Sequence, residues 1–265
     1  MNIFLHELKA YRKSTIIWTC SLISLIVLLL GIYPSFAKEA EAFKKVLEGF
    51  PEPVRKALGL SVDNMASILG FYAYTFLYLT LCGAIQAMNL GTSIISKEVR
   101  EKTADFLLTK PVTRTKIMTS KLLAALASLV ITNVVYLATA SIMMSIMKTK
   151  DFNIKIFLLL SLSLFFIQLI FLALGIIISV IARKIKSVLP ISLSTVFGLF
   201  FIGALAATSG EGALRYISPF KYFDTAYIIK NSSYEASFII VAMGFIIAAI
   251  TASYLIYCKK DIHSV

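Results

Sequence analysis

Histidine is nearly missing from this chain of 265 residues, and cysteine and tryptophan are scarce, at two, three and one copies. His6 and His263 stand near opposite ends, so no metal-ligand spacing is present, and neither lies at a depth where an intramembrane hydrolase needs one. Cys20, Cys82 and Cys258 are scattered, which gives no disulfide framework. The dipeptide Gly-Lys occurs nowhere, so the chain lacks the phosphate-cradling loop by which many ATPases hold nucleotide. No cofactor or metal is therefore expected in this chain, and no enzymatic activity of its own. Acidic residues number 14 against 26 Lys and Arg, yet the excess of positive charge is not gathered into a domain that would hold nucleic acid.

Charge is also missing locally, and that absence defines the class. Six stretches contain no Asp, Glu, Lys or Arg: 14–37, 64–96, 122–147, 156–182, 187–210 and 236–258. Each exceeds the roughly 18 to 20 residues needed to cross about 30 Å of hydrocarbon at 1.5 Å per residue. With 58% hydrophobic residues and a mean hydropathy of +0.85, the chain reads as an all-α polytopic membrane protein forming one domain over 1–265. Its spans fall at about 16–36, 68–95, 122–147, 156–182, 188–208 and 236–257. The ten-residue alternation of a membrane barrel is not seen. The apolar region from Ile16 to Tyr33 is longer than that of a cleavable signal, so the first stretch is read as a retained span.

Six spans put both termini on one side. Flanks on that side hold 15 Lys and Arg, against 11 on the other, and the short 183–187 loop alone holds three. Basic residues in short loops stay in the cytoplasm, so both termini are expected there, in the cell membrane. The net charge of +12 then reflects topology and contact with anionic lipid headgroups.

Before the first span, Met1, Phe4, Leu5 and Leu8 recur at helical spacing opposite His6, Glu7, Lys9 and Lys13. This predicts an amphipathic helix over 1–13, lying on the inner face and turning into the span. Between spans one and two, Phe43, Val46, Leu47 and Phe50 form a helical stripe that stops at Pro51, and predict a short surface helix. Between spans five and six, Tyr216, Phe220, Tyr222, Phe223 and Tyr227 suit the headgroup level, and Pro219 breaks any long helix, so short re-entrant or interfacial pieces are expected.

Polar residues within the spans are few. Gln86, Asn89 and Ser93 share one face of the second span and are candidates for a translocation path, or for hydrogen bonds between helices. Asn133 and Gln168 stand alone in their spans and fit interhelical hydrogen bonding better. Gly83, Ala87 and Gly91, and Gly244, Ala248 and Ala252, are spaced by four and allow close helix contact. Met143, Met144 and Met147 offer thioethers that suit Cu(I), although methionine more often fills space. No ionisable group lies deep in a span, which argues against a transporter driven by a proton gradient.

The long hydrophilic run 96–121, between the second and third spans, concentrates the remaining signal. Glu98, Thr103, Leu107, Pro111, Arg114 and Lys121 form the pattern E-x4-T-x3-L-x3-P-x2-R-x6-K. In this position the pattern resembles the ABC-2-type permeases, the membrane subunits of bacterial ATP-driven exporters of the type V architecture, and the likeness extends over essentially the whole chain. The resemblance implies that 96–121 is the cytoplasmic segment that docks on a separate ATPase subunit, with Glu98, Thr103, Leu107, Pro111 and Arg114 as the coupling positions. It implies that ATP and Mg are bound by that partner, and that a second permease copy, identical or different, completes the pore. The mixture of charges with Leu107 and Leu108, ended by Pro111, suits a docking helix on physical grounds too. An ATP-independent scaffold or sensor and a secondary transporter are the alternatives. The 38–63 connection is not part of the shared pattern.

The topology has a direct check. With the three native thiols removed, single cysteines at Ser61 and Ser232 should react with an impermeant maleimide in intact cells, and one at Ser187 should not. Labelling of Ser187 alone would reverse the assignment.

Overall fold

The computed structural model describes residues 3–39, 42, 45–46, 48–51, 54–55, 67–101, 112–148, 151–182, 185–209 and 212–259. Six long helices dominate: α1 (Ile3–Lys38), α2 (Ile68–Arg100), α3 (Arg114–Met147), α4 (Ile154–Ile181), α5 (Val188–Ser209) and, last in the chain, α8 (Ala236–Lys259). Between α5 and α8 lie α6 (Gly212–Arg215), a 3-10 turn at Pro219–Lys221 and α7 (Thr225–Asn231). No strand occurs among the described residues. All six long helices are long and apolar enough to cross a membrane, as the charge-free blocks predict.

Local chemistry sets the helix ends. Ser67 starts α2, its hydroxyl accepting from the amide of Gly70 at 3.1 Å. The Thr113 hydroxyl accepts from Lys116 N at 3.3 Å at the start of α3. Asn153 accepts from Lys155 N at 3.0 Å at the start of α4, and Asp224 from Tyr227 N at 2.8 Å at the start of α7. Each satisfies an amide that the first helical turn leaves unpaired. Pro190 sits in the first turn of α5, where its missing N–H costs nothing.

The amphipathic start of the chain does not turn at the membrane surface. It runs without a break into the first span as one helix of 36 residues, about 54 Å long at 1.5 Å per residue. No Gly or Pro stands between residues 3 and 30 to interrupt it. Its polar face is also not the expected one, since Glu7 is buried and Leu5 is exposed. In the connection between α1 and α2, Phe43 and Leu47 lie outside the described residues, while Val46 and Phe50 are exposed. The chain turns again directly after Pro51, whose carbonyl accepts from Val54 N at 3.0 Å.

Helices α2 and α4 form the centre of the bundle. The most apolar window of each is 61% buried, against 17 to 33% for the other four spans. The α2/α4 contact is the most extensive in the molecule, and α1 packs chiefly on α3. Small residues let α2 and α4 approach closely. A Cβ added at Gly175 would lie 2.7 Å from Met88 O and 2.9 Å from Thr92 N, both backbone atoms of α2. Gly91 likewise faces α4 backbone, at Leu172 O, and Gly83 faces the Leu164 and Gln168 side chains of α4, whereas Gly244 of α8 faces open space. The small-residue spacing of the second span is thus used for internal packing.

This contact makes a testable distinction. Gly175→Leu should destabilise the protein by about 1 to 3 kcal/mol through overpacking, with backbone displacement the only relief. Gly244→Leu should leave stability within about 0.5 kcal/mol. Thermal unfolding in detergent compares the two.

Candidate functional site: a buried charge cluster between α1, α2 and α3

Lys121 occupies the first third of α3, next to the apolar part of the span, and its side chain is 1% exposed. A bare ammonium there is costly to desolvate, so it must be surrounded by acceptors. Three elements supply them. Ile94 O on α2 accepts from Nζ at 2.5 Å, the Glu98 carboxylate on α2 accepts a charge-assisted bond, and Glu7 Oε1 on α1 lies 3.4 Å away. The side chains of Glu7 and Glu98 are 5% and 15% exposed. Glu7 Oε2 is buried with no hydrogen-bond partner among the described residues. Two carboxylates therefore share one cation.

Neighbouring contacts reinforce the joint. The Tyr11 hydroxyl on α1 bonds Ser93 Oγ on α2 at 3.0 Å, and the Lys97 ammonium stands 5.7 Å over the Tyr11 ring. Thr119 Oγ1 on α3 bonds Tyr254 OH on α8 at 2.8 Å. Arg114 Nη1 reaches Cys258 O, also on α8, at 3.5 Å. Helices α1, α2, α3 and α8 are all tied together at the end of the bundle nearer the two chain termini.

Of the coupling positions, Glu98 and Arg114 are in the described part, on either side of the segment, while Thr103, Leu107 and Pro111 lie outside it. The Glu98 side chain is turned inward to Lys121. Glu7, read from its spacing as a solvent-facing residue, belongs to the cluster instead. Periodicity could not reveal this, because the face that α1 turns inward depends on a lysine 114 positions later. Only the presence of Lys121 at the end of the E-x4-T pattern hinted that Glu98 had a partner.

In the centre of the bundle the scattered polar groups form one chain. Asn133 donates to Gln168 Oε1 at 2.5 Å, Gln168 to Gln86 Oε1 at 3.1 Å, and Gln86 to Thr132 Oγ1 at 3.0 Å. Thr132 bonds Thr19 at 2.9 Å. The network joins α1, α2, α3 and α4, each bond contributing about 0.6 to 2 kcal/mol in a membrane. Asn133 and Gln168, alone in their own helices, thus meet each other. Of the three candidate path residues, Gln86 is taken up in this network, Ser93 by Tyr11, and Asn89 is half-buried. Nearer the opposite end, Tyr72 OH bonds both Tyr136 OH and, at 2.8 Å, Ser161 Oγ. A cavity of about 420 Å³ between α3 and α4 is lined mainly by apolar side chains, with Asn133, Tyr136 and Ser161 at its polar points.

Six apolar helices bound by internal polar networks define a multi-pass all-α membrane protein. The family model described as ABC-2 family transporter protein matches residues 1–262, and the chain belongs to that family. It is a permease of an ABC transporter, a membrane component whose family implies a separate ABC ATPase as partner. No curated protein matches the chain.

Removing one member of the buried cluster should be severe. Lys121→Met leaves buried carboxylates without a counter-charge and should cost about 3 to 5 kcal/mol. Glu7→Gln keeps the shape and leaves the Glu98 pair intact, and should cost less than half as much. Yield of monodisperse protein and thermal midpoint in detergent give the ranking.

Proposed function

We propose that this permease is the membrane half of an ATP-driven exporter in the cell membrane, with both termini in the cytoplasm. Two permease copies, identical or different, pair with two ATPase subunits, which bind ATP and Mg. Segment 96–121 is the part on which the ATPase pushes, with Thr103, Leu107 and Pro111 forming its docking face.

The observation that supports this reading most is the clasp between Glu98 and Lys121. A segment that transmits force must be anchored at both ends to the elements it moves, or its displacement is lost in slack. Glu98 stands near the start of the segment and Lys121 closes it, and their ion pair is shielded from solvent. Glu98 then serves by holding the start of the segment rather than by touching the ATPase, and Arg114 ties its end to α8. Displacement of the segment moves α2 and α3 together, and α1 with them through Glu7 and Tyr11. Alternating exposure of a path between the two permeases follows as a rigid-body change. Asn89, with Gln86 and Ser93 on the same face of α2, is the candidate contact along that path. The apolar interior suits a hydrophobic or amphiphilic substrate.

Docking is tested at Leu107, which stands between Glu98 and Lys121 in the sequence. Leu107→Asp should insert and fold normally but bind the ATPase about tenfold more weakly or worse, equivalent to the loss of about 1.4 kcal/mol or more at an interface. Co-purification with the ATPase and substrate-stimulated ATP hydrolysis measure it. Wild-type values for both would remove 96–121 from the coupling role.

A further inference from the structure

The cavity of about 420 Å³ between α3 and α4 has a volume within the range of small-molecule sites, about 300 to 1,000 Å³. It opens sideways. Val130 and Val134 on α3 and Leu158 and Leu162 on α4 line it and are between 42% and 61% exposed on the flank of the bundle, where a membrane protein meets acyl chains. Asn133, Tyr136 and Ser161 line the same cavity. Asn133 stands close to the middle of α3, and Tyr136 one turn further on.

The hydrogens on these polar groups are all committed elsewhere. Asn133 Nδ2 has two, of which one goes to Leu129 O at 2.8 Å and the other to Gln168 Oε1 at 2.5 Å. Leu129 O can only accept, which fixes the amide nitrogen on that side. Asn133 Oδ1 is left accepting from no group among the described residues. The Tyr72, Tyr136 and Ser161 hydroxyls hold three hydrogens and make three bonds. Ser161 donates to Phe157 O at 2.8 Å, which leaves Tyr72 to donate to Ser161, and Tyr136 to donate to Tyr72. The Tyr136 oxygen therefore keeps a free lone pair and no free hydrogen.

The polar wall of the cavity thus presents acceptors alone, in a place where the surrounding acyl chains carry no donor. An acceptor in such surroundings favours a guest that brings a hydrogen, and the apolar mouth favours a hydrocarbon body. Water gains nothing from such a mouth, whereas a long chain with one hydroxyl matches both parts. We propose that the α3/α4 cavity binds a lipophilic alcohol that enters sideways from the membrane, its hydroxyl donating to Asn133 Oδ1 and its chain lying along Val134, Leu158 and Leu162. A transported compound and a resident membrane lipid share this chemistry. The site does not depend on how the permease is driven.

Permease in nanodiscs of phosphatidylcholine, a lipid with no hydroxyl to donate, is the sample. The probes are hexadecanol carrying a diazirine halfway along its chain and the methyl ether of the same molecule. On illumination the alcohol should mark peptides from 130–137 and 158–165 about fivefold more than the ether does, the ratio expected when one hydrogen bond of about 1 kcal/mol is lost. Because Asn133 also serves the network between helices, the ether rather than a substitution tests the donor. Leu162→Trp, which fills the cavity from its mouth, should abolish this labelling, whereas Ile247→Trp on the exposed face of α8 should retain it. Equal labelling by alcohol and ether would overturn recognition of a donor. Alcohol labelling spread evenly over α1, α5 and α8, or unchanged in Leu162→Trp, would overturn the site. With the partner ATPase present, ATP hydrolysis stimulated by hexadecanol in wild type and not in Leu162→Trp identifies the guest as transported, and occupancy without stimulation identifies it as a resident lipid; both uphold the site.

Discussion

A lysine ammonium buried at the edge of an apolar helix is the constraint around which the end of the bundle nearer the two chain termini is organised. Lys121 cannot be desolvated alone, so α2 must bring Ile94 O and Glu98 to it, and α1 must bring Glu7. Those requirements fix the rotation of α1 and the register of α2 against α3. They also close the hydrophilic segment between α2 and α3 into a loop with a defined base. Buried ion pairs often add little net stability, because attraction must first offset desolvation. What this cluster contributes is specificity of arrangement: a rotated or shifted helix would leave a bare charge in an apolar setting.

The same logic operates at two further levels of the bundle. The Asn133, Gln168, Gln86, Thr132 and Thr19 network joins four helices at mid-depth. The Tyr72, Tyr136 and Ser161 group ties α2, α3 and α4 nearer the other end. In lipid the apolar faces of helices have no reason to prefer one another over acyl chains, so polar contacts and close packing of small residues carry the choice of neighbours. Gly91 and Gly175 provide the packing, where α2 and α4 meet without intervening side chains. A core pair held so firmly leaves the four outer helices with broad apolar faces available to lipid or to another permease.

For a permease whose partner ATPase would act on the 96–121 segment, as proposed above, this construction has a functional logic. Force applied at one loop must reach helices spread over the whole cross-section. Charge pairs and hydrogen bonds at the base of the loop are short-range and directional, so they convey displacement with less slack than apolar contacts, which slide. The folded-back connection between α5 and α8, with its own aromatic packing, supplies a rigid counterpart at the far side.

The six spans were legible in the sequence because the hydrocarbon layer imposes length and the absence of charge on each segment independently of its neighbours. The family pattern from Glu98 to Lys121 was legible because its residues are close in the chain. The helix breaks near Pro219 and the aromatic character of that connection were visible for the same local reason. The partners were not legible. Glu7 pairs with a lysine 114 residues away, Asn133 with a glutamine on another helix, and Arg215 with Glu235 across a fold-back. Helical spacing shows which residues share a face, but not what that face meets or which way it turns. Composition and periodicity by themselves determined that the chain forms six helices long and apolar enough to cross a membrane. Only the packing of helix against helix decided which polar groups satisfy one another, because that choice rests on rotations and registers that no single segment encodes.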